Sequence, residues 1–501
     1  MAMLCASVIG PTIREINRQI DDALSWCDLV ELRLDLFDFW NLPYVDGIVQ
    51  RLEVPVVLTL RSHEHGGKFC GTIEQRCQRL ESLIKLQPAY LDVEIDTPIE
   101  FVQMLRMEAP QVVLIRSYHD FMSTPSDLNA MLANDDIEGM VIKVMTYANT
   151  GCDALRMLHA VRQETSNGRR IIGMCMGEDG VSTRILAPWV GSAITFAAVD
   201  GENMAAPGQL QGRDLLERYR YRSLTDRSAV YGLIGDPVAH SMGHRLHNAC
   251  FAQHGLDAVY VKWRMMADGL ANFFEYAEAL GISGLSVTMP LKEAVIPYLD
   301  EIDDVASAAQ AVNTIIFDGK KKLGYNTDAG GALDAIEVVE KVAKKRMVII
   351  GAGATARAIA YEAKKRGAKV LILNRTEEKA LSAAKRLGCK GAGLGRLAKE
   401  CKKGYQILVN ATPIGMDERI SESAVGSDMI CPDSIVMDVV SKQDDTPLLQ
   451  AAKERGCHTI SGREMFVNQA VRQFNIWFPQ AINSDLTKQT LYDVVYNAVA
   501  D

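Results

Sequence analysis

The chain has 501 residues, 48% hydrophobic and 23% charged, a composition that suits a globular protein of about three domains. Its net charge of −9 and pI near 5.6 argue against a general nucleic-acid binder, which carries a basic face, and no apolar run is long enough to span a membrane. Eleven scattered cysteines without a CxxC pair suit reduced thiols in the cytoplasm, and the strand-like start MAMLCASVIG lacks the features of a targeting peptide.

In chain order, eight short β-rich runs come first: Leu4–Val8, Leu29–Leu34, Val56–Leu60, Tyr90–Val93, Val112–Ile115, Met140–Val144, Ile171–Met176 and Ile194–Ala197. Segments of helical character separate them, such as Ile73–Leu86 and Cys152–Thr165. Eight such units predict an N-terminal (β/α)8 TIM barrel, whose catalytic groups sit at the C-terminal strand ends. Those ends carry Glu31, Arg33, Asp35, Arg61, Asp92, Glu94, His119 and Lys143, with Arg184 just beyond the seventh strand. Any one of these charges alone reads as a structural ion pair. Six consecutive strands ending this way read as one shared site, because charge at a buried strand end is costly unless paired or used.

Lys143 lies inside an apolar strand, GMVIKVM, where desolvation and surrounding Arg residues are expected to free its amine for Schiff-base chemistry on a ketone. His119, one strand earlier, is the natural proton carrier, and the arginines suit a carboxylate and hydroxyls.

ELRLDLF, the SYHDF context of His119, the strand lysine, MGEDGVSTR and APGQL together resemble type I 3-dehydroquinate dehydratase over residues 4–211. The resemblance implies that Lys143 forms an imine with the C3 ketone of 3-dehydroquinate. It also implies that His119 removes the C2 proton and assists loss of the C1 hydroxyl, and that Glu31, Arg33, Arg61, Arg184 and Gln209 contact the substrate. Two positions depart from the family pattern. RSHEHGG has His65 where the family has a Glu that orients the catalytic His, with Glu64 one residue early; either is expected to orient His119. Ala205 replaces a substrate-binding hydroxyl. A metal site at His63 and His65 is not expected, since no third ligand is placed by spacing.

The polar, basic stretch Gly212–Ser228 reads as a linker. Beyond it, VIIGAGATARAIA (Val348–Ala360) is a strand, a glycine turn and a helix start, with G-x-G-x-x-A at Gly351, Gly353 and Ala356. Glycines there admit a pyrophosphate to the backbone and helix N-terminus. The next strand ends in Asn374-Arg375-Thr376, where an NAD enzyme carries an acid for the ribose hydroxyls. Arg375 and the missing acid predict NADP.

YGLIGDPVAHSMGHRLHN, SVTMPLK, AVNT, GYNTDAGG, NATPIGM and GREMFVNQA resemble shikimate dehydrogenase over about 229–495. The resemblance implies a two-domain α/β dehydrogenase with a Rossmann-like NADP domain. The expected division is a barrel at 1–222, a substrate-binding domain at 229–328 completed by 460–501, and a nucleotide domain at 329–459. Lys292 and Asp328 would act as the proton-supplying pair, and Ser241, Thr288, Asn313 and Gln469 would hold substrate. Gly351, Gly353, Ala354, Asn374, Arg375, Thr376, Thr412 and Met416 would hold NADP. In the family's HSxSP motif, Gly243 replaces a carboxylate-binding Ser and His244 the Pro, while Ser441 stands near a family Tyr. Each lost hydrogen bond is worth roughly 0.5–1.5 kcal/mol, so weaker shikimate binding or quinate turnover is expected. His240, His244 and His247 read as packing and substrate-proximal residues rather than a metal cluster.

The sequence thus predicts a bifunctional shikimate-pathway enzyme. The competing readings are the same architecture with quinate as a real substrate, and a metabolite-sensing regulator built from such modules. The presence of Lys143, His119, Lys292 and Asp328 weighs against the regulator.

Overall fold

A computed structural model describes residues 2–133, 139–201, 204–441, 445–479 and 484–497. The chain folds as two compact units, Met1–Val230 with Asp257–Ile282, and Tyr231–Leu256 with Ser283–Asp501. Among the described residues no helix is long and apolar enough to cross a membrane.

The first unit holds eight parallel strands: β1 (Met3–Val8), β2 (Leu29–Arg33), β3 (Val56–Thr59), β4 (Tyr90–Glu94), β5 (Val113–His119), β6 (Val141–Tyr147), β7 (Ile171–Met176) and β8 (Ile194–Ala198). Their order is β7-β6-β5-β4-β3-β2-β1-β8. Between β7 and β8 the ring is nearly closed, with the Ala193 amide donating to the Ile171 carbonyl at 2.7 Å. This is the expected α/β barrel. Its strands are buried on both faces, which is why they read as continuous apolar runs. Helices start on local signals: Thr12 and Thr72 form capping boxes with Glu15 and Gln75.

Two strands run further than hydrophobicity alone indicates. β5 reaches His119 rather than Ile115, and β6 reaches Tyr147 rather than Val144. The ladder continues because Ser117 pairs with Lys143 and His119 with Met145. Alternate residues face one way along a strand. Ser117 and His119 therefore share a face of β5, and Lys143 and Met145 share a face of β6.

A mixed six-stranded sheet follows, in the order β10-β9-β11-β13-β14-β12. It comprises β9 (Ala229–Gly235), β10 (Ala258–Arg264), β11 (Gly284–Val287), β12 (Glu301–Ile302), β13 (Thr314–Asp318) and β14 (Lys321–Tyr325). β9 and β11 are parallel, whereas β13 runs antiparallel to both β11 and β14.

The last sheet is wholly parallel: β15 (Arg346–Ile350), β16 (Lys369–Asn374), β17 (Lys390–Gly393), β18 (Ile407–Asn410), β19 (Ile435–Asp438) and β20 (His458–Ile460), in the order β17-β16-β15-β18-β19-β20. Alternation divides its strands between two cores. Ile349, Ile372, Val409 and Met437 enter one, and Val348, Leu371, Leu408 and Val436 enter the other. This is the doubly wound nucleotide-binding order, and its crevice opens where the order reverses, between β15 and β18.

Candidate active sites

Ser7, Glu31, Arg33, Arg61, His65, His119, Lys143, Arg184, Ala205 and Gln209 line one pocket of the barrel. The strand-end charges are thus brought together. Lys143 Nζ donates to Asp92 Oδ2 at 3.1 Å, lies 3.9 Å from Glu31 Oε1, and sits 4.2 Å from the centroid of the Phe196 ring. Arg33, Arg61 and Arg184 line the same pocket as expected, and carboxylates, which the apolar strand did not indicate, stand directly against the amine. Arg61 stands behind them, donating to Asp92 at 2.8 Å, to Glu94 at 3.2 Å and to Ser117 Oγ at 2.8 Å. The cause is register, since Asp92 and Glu94 share one face of β4 with Arg61 reaching across to both.

Glu31 accepts from Ser7 Oγ at 2.8 Å and from Thr59 Oγ1 at 2.9 Å. Gln209 Nε2 donates to Ser7 Oγ at 3.2 Å, and Gln209 Oε1 accepts the Ala205 amide at 2.9 Å. Arg33 is engaged by Asp35 through two hydrogen bonds of 3.0 and 2.9 Å. Arg184 is 1% exposed, yet its Nε and one terminal nitrogen have no partner among the described residues. Burial lowers its pKa to about 10. A buried guanidinium with open donors is a seat for an anion.

Burial first, then Arg61 and Lys143, hold His119 well below the usual histidine range, so its ring is neutral at pH 7. Asp92 is held below the usual carboxylate range. Its burial opposes this, and Arg61 and Lys143 outweigh the burial. The His65 ring stands edge-on to His119, with centroids 6.1 Å apart and planes at 75°. Glu64 and His63 are exposed. His65 Nε2 lies 3.9 Å from Asp96 Oδ1, and Arg76 donates to both Asp96 and Glu94. His65, Glu94 and Asp96 offer ligand atoms within 4.8 Å of one another, but the Arg76 guanidinium already serves both acids.

Sequence reasoning passed over Ser7, Ser117, Phe196, Arg76 and Asp96 in this site. Ser117 was within reach of it, being two residues before His119 and therefore on the same face. Arg76 is a helix residue whose direction no local pattern shows.

In the second half, Lys292 Nζ donates to Asp328 Oδ2 at 2.6 Å. Asn313 Nδ2 donates to Asp328 Oδ1 at 2.7 Å and to Thr327 Oγ1 at 2.9 Å. Thr327 Oγ1 in turn donates to Gln469 Oε1 at 3.2 Å. Four of the expected residues therefore form one network. Ser241 and Thr288 follow the ends of the adjacent parallel strands β9 and β11. The Thr288 amide donates to the Ile234 carbonyl at 2.9 Å, and the Gly243 amide donates to Ser241 Oγ at 3.2 Å. Ser441 is exposed. His247 packs on Phe474 and Trp477, and burial lowers its pKa to about 3.

The glycine turn lies at the expected crevice. Gly351 has φ of +114°, and a Cβ there would stand 2.7 Å from the Ala411 carbonyl oxygen. Gly353 caps the helix Ala354–Lys365, and nothing lies within 4 Å of where its Cβ would be. Asn374 ends β16, donating to the Thr376 carbonyl at 2.9 Å, and Arg375 and Thr376 are exposed beside it. Thr412 Oγ1 donates to Asn410 Oδ1 at 2.7 Å, which sets the loop carrying Met416 after β18.

Residues 4–226 match the type I 3-dehydroquinase family, 233–315 the shikimate dehydrogenase substrate binding domain, and 334–423 the shikimate/quinate 5-dehydrogenase family. The chain is 35% identical to the chloroplastic bifunctional 3-dehydroquinate dehydratase/shikimate dehydrogenase of Arabidopsis thaliana, over 95% of this chain and 82% of that one. It is 33% identical to the shikimate biosynthesis protein AroDE of Chlamydia pneumoniae, over 96% of this chain and 97% of that one. A solved shikimate dehydrogenase in complex with NADP+ is 38% identical, with a TM-score of 0.50, over 54% of this chain and 97% of that one. Both halves are matched, in order and along nearly the whole length of a relative: the chain belongs to the bifunctional 3-dehydroquinate dehydratase/shikimate dehydrogenase family.

Proposed function

We propose that the barrel dehydrates 3-dehydroquinate through an imine on Lys143, and that the second half reduces the product, 3-dehydroshikimate, to shikimate with NADPH. The observation that carries this is the convergence on one pocket of the Lys143 amine, a neutral His119 and a buried Arg184 with two nitrogens unpartnered among the described residues. In this reading Arg184 takes the substrate carboxylate, while Glu31, Arg33, Arg61 and Gln209 hold the hydroxyls. The Lys143 amine adds to the C3 ketone and water leaves. His119 then removes the C2 proton and returns it to the departing C1 hydroxyl, which leaves as water, and a second water hydrolyses the imine to release 3-dehydroshikimate and restore the Lys143 amine.

The reductase reading rests on the Lys292–Asp328 pair, whose hydrogen bond of 2.6 Å supports a role in giving a proton to a carbonyl oxygen as it becomes an alkoxide. Ser241, Thr288, Asn313 and Gln469 are the substrate contacts of this reading. The cofactor's fit is supported by the open space at Gly353, the close backbone at Gly351 and the exposed Arg375 in place of an acid. Gly351, Gly353, Ala354, Asn374, Arg375, Thr376, Thr412 and Met416 would hold it. When bound, NADPH supplies the hydride.

The domain division of this reading is 1–222, 229–328 completed by 460–501, and 329–459. It needs no nucleic-acid or membrane partner. The eleven free cysteines suit the cytoplasm. The test is to mix the protein with 3-dehydroquinate and NADPH. NADPH loss that requires 3-dehydroquinate supports both activities; an enone that accumulates while NADPH persists defeats the reductase reading.

Quinate turnover at the same site is the second reading, favoured by Gly243, which brings no side chain beside Ser241. Gly243→Ser should lower the quinate-to-shikimate ratio of kcat/KM, and an unchanged ratio would sink the idea.

A further inference from the structure

A neutral imidazole carries one donor and one acceptor nitrogen. For His119 to accept a proton at Nε2, its own proton must sit on Nδ1, and a buried N–H needs an acceptor. His119 Nδ1 is buried and has no partner among the described residues. The His65 ring stands edge-on to the His119 ring, with centroids 6.1 Å apart, and its Nδ1 is also buried and without a partner among the described residues. On the far side of His65, Nε2 points to Asp96, 3.9 Å from Oδ1. Asp96 is fixed by Arg76 and keeps Oδ2 unbonded among the described residues. Glu64, the other candidate to orient His119, is exposed.

With Nε2 of His65 toward Asp96, Nδ1 is the His65 nitrogen left to meet His119. We infer that Asp96 and His65 form a relay that sets the tautomer of His119. The Asp96 carboxylate accepts from His65 Nε2–H, so the lone pair of His65 sits on Nδ1. That lone pair accepts from His119 Nδ1–H, which leaves the His119 Nε2 lone pair free to act as the base. The contacts tighten when substrate fills the pocket, as catalytic hydrogen bonds are commonly long in its absence. His65 and Asp96 are positioning residues, and no net proton crosses the relay. The inference rests on the dehydratase reading of Lys143 and His119.

The experiment compares Asp96→Asn and His65→Leu with His65→Glu and the double variant His65→Glu/Asp96→Asn. Dehydratase kcat and KM are measured, and borohydride is used with 3-dehydroquinate to label Lys143. Asp96→Asn and His65→Leu should each lower kcat by roughly 10- to 100-fold, the size usual for orienting partners, with KM little changed and Lys143 still labelled. A carboxylate at position 65 accepts from His119 directly, so His65→Glu should retain activity and be insensitive to Asp96→Asn. A purely structural role predicts the same Asp96→Asn loss in both backgrounds. That result, or an unchanged kcat in Asp96→Asn, overturns the relay while the Lys143 label survives. If the parent protein itself is not labelled, the dehydratase reading falls and the relay falls with it.

Discussion

Lys143 and Asp92 meet at 3.1 Å although they sit on β6 and β4, two strands that are not neighbours. The strand between them supplies the link: Ser117 of β5 donates to Asp92 Oδ1 at 2.6 Å and pairs in register with Lys143. Arg61 closes the group from β3's end, donating to the same Asp92. The Lys143 amine is therefore one member of a buried, hydrogen-bonded charge network. Removing one member has consequences that differ by member.

Lys143→Met should abolish dehydratase turnover and the borohydride adduct, while reduction of added 3-dehydroshikimate continues at the parent rate. His119→Ala should retain the adduct and lose roughly 10²–10⁴-fold in kcat, the usual share of a general base. Turnover together with mass spectrometry of the trapped protein checks both variants. A Lys143→Met protein that still forms the adduct would falsify the assignment.

Asp92→Asn should destabilise the barrel by about 3–5 kcal/mol, because a buried cation pair loses its counter-charge. The same carboxylate predicts a pH dependence. Its folded pKa lies below its unfolded value, so its contribution is fully present above the unfolded pKa of about 3.9 and declines as pH falls through and below that value. Urea denaturation of the parent and variant between pH 3 and pH 7 should show the difference between them shrinking toward acid.

Asp328→Asn and Lys292→Met should each lower reductase kcat by roughly 10²–10⁴-fold while the dehydratase rate stays at the parent value. The double variant should lose little more than either single one, since the two side chains share one hydrogen bond of 2.6 Å and act as a unit. Additive losses would mean independent roles.

Arg375→Ser should raise KM for NADPH by roughly 10- to 100-fold, the equivalent of a charge-assisted hydrogen bond of about 1.5–3 kcal/mol. KM for NADH should stay unchanged. Steady-state kinetics with both cofactors decide it: an equal rise for both would place Arg375 away from the 2′-phosphate.

Strand count, fold class and most of the residues that line the barrel pocket were legible in the sequence. A parallel strand buried on both faces must be continuously apolar, so a lysine within GMVIKVM stands out against its background, and the glycine turn at Gly351 needs a backbone that few other residues adopt. Spacing along the chain does not report which strand faces which, and pairing decided the rest. Lys143 meets the Asp92 carboxylate, which it shares with Arg61, because the ladder from β4 to β6 aligns the inner face of β4 with Lys143. β5 and β6 outran their hydrophobic segments because backbone pairing continues past them, with Ser117 opposite Lys143 and His119 opposite Met145. His65 read from sequence as one of several departures from a family pattern. Its neighbour Asp96 lies beyond the end of β4 and is held there by Arg76 from the helix between β3 and β4, a meeting set by the packing of that helix on the two paired strands, which no local residue pattern reports.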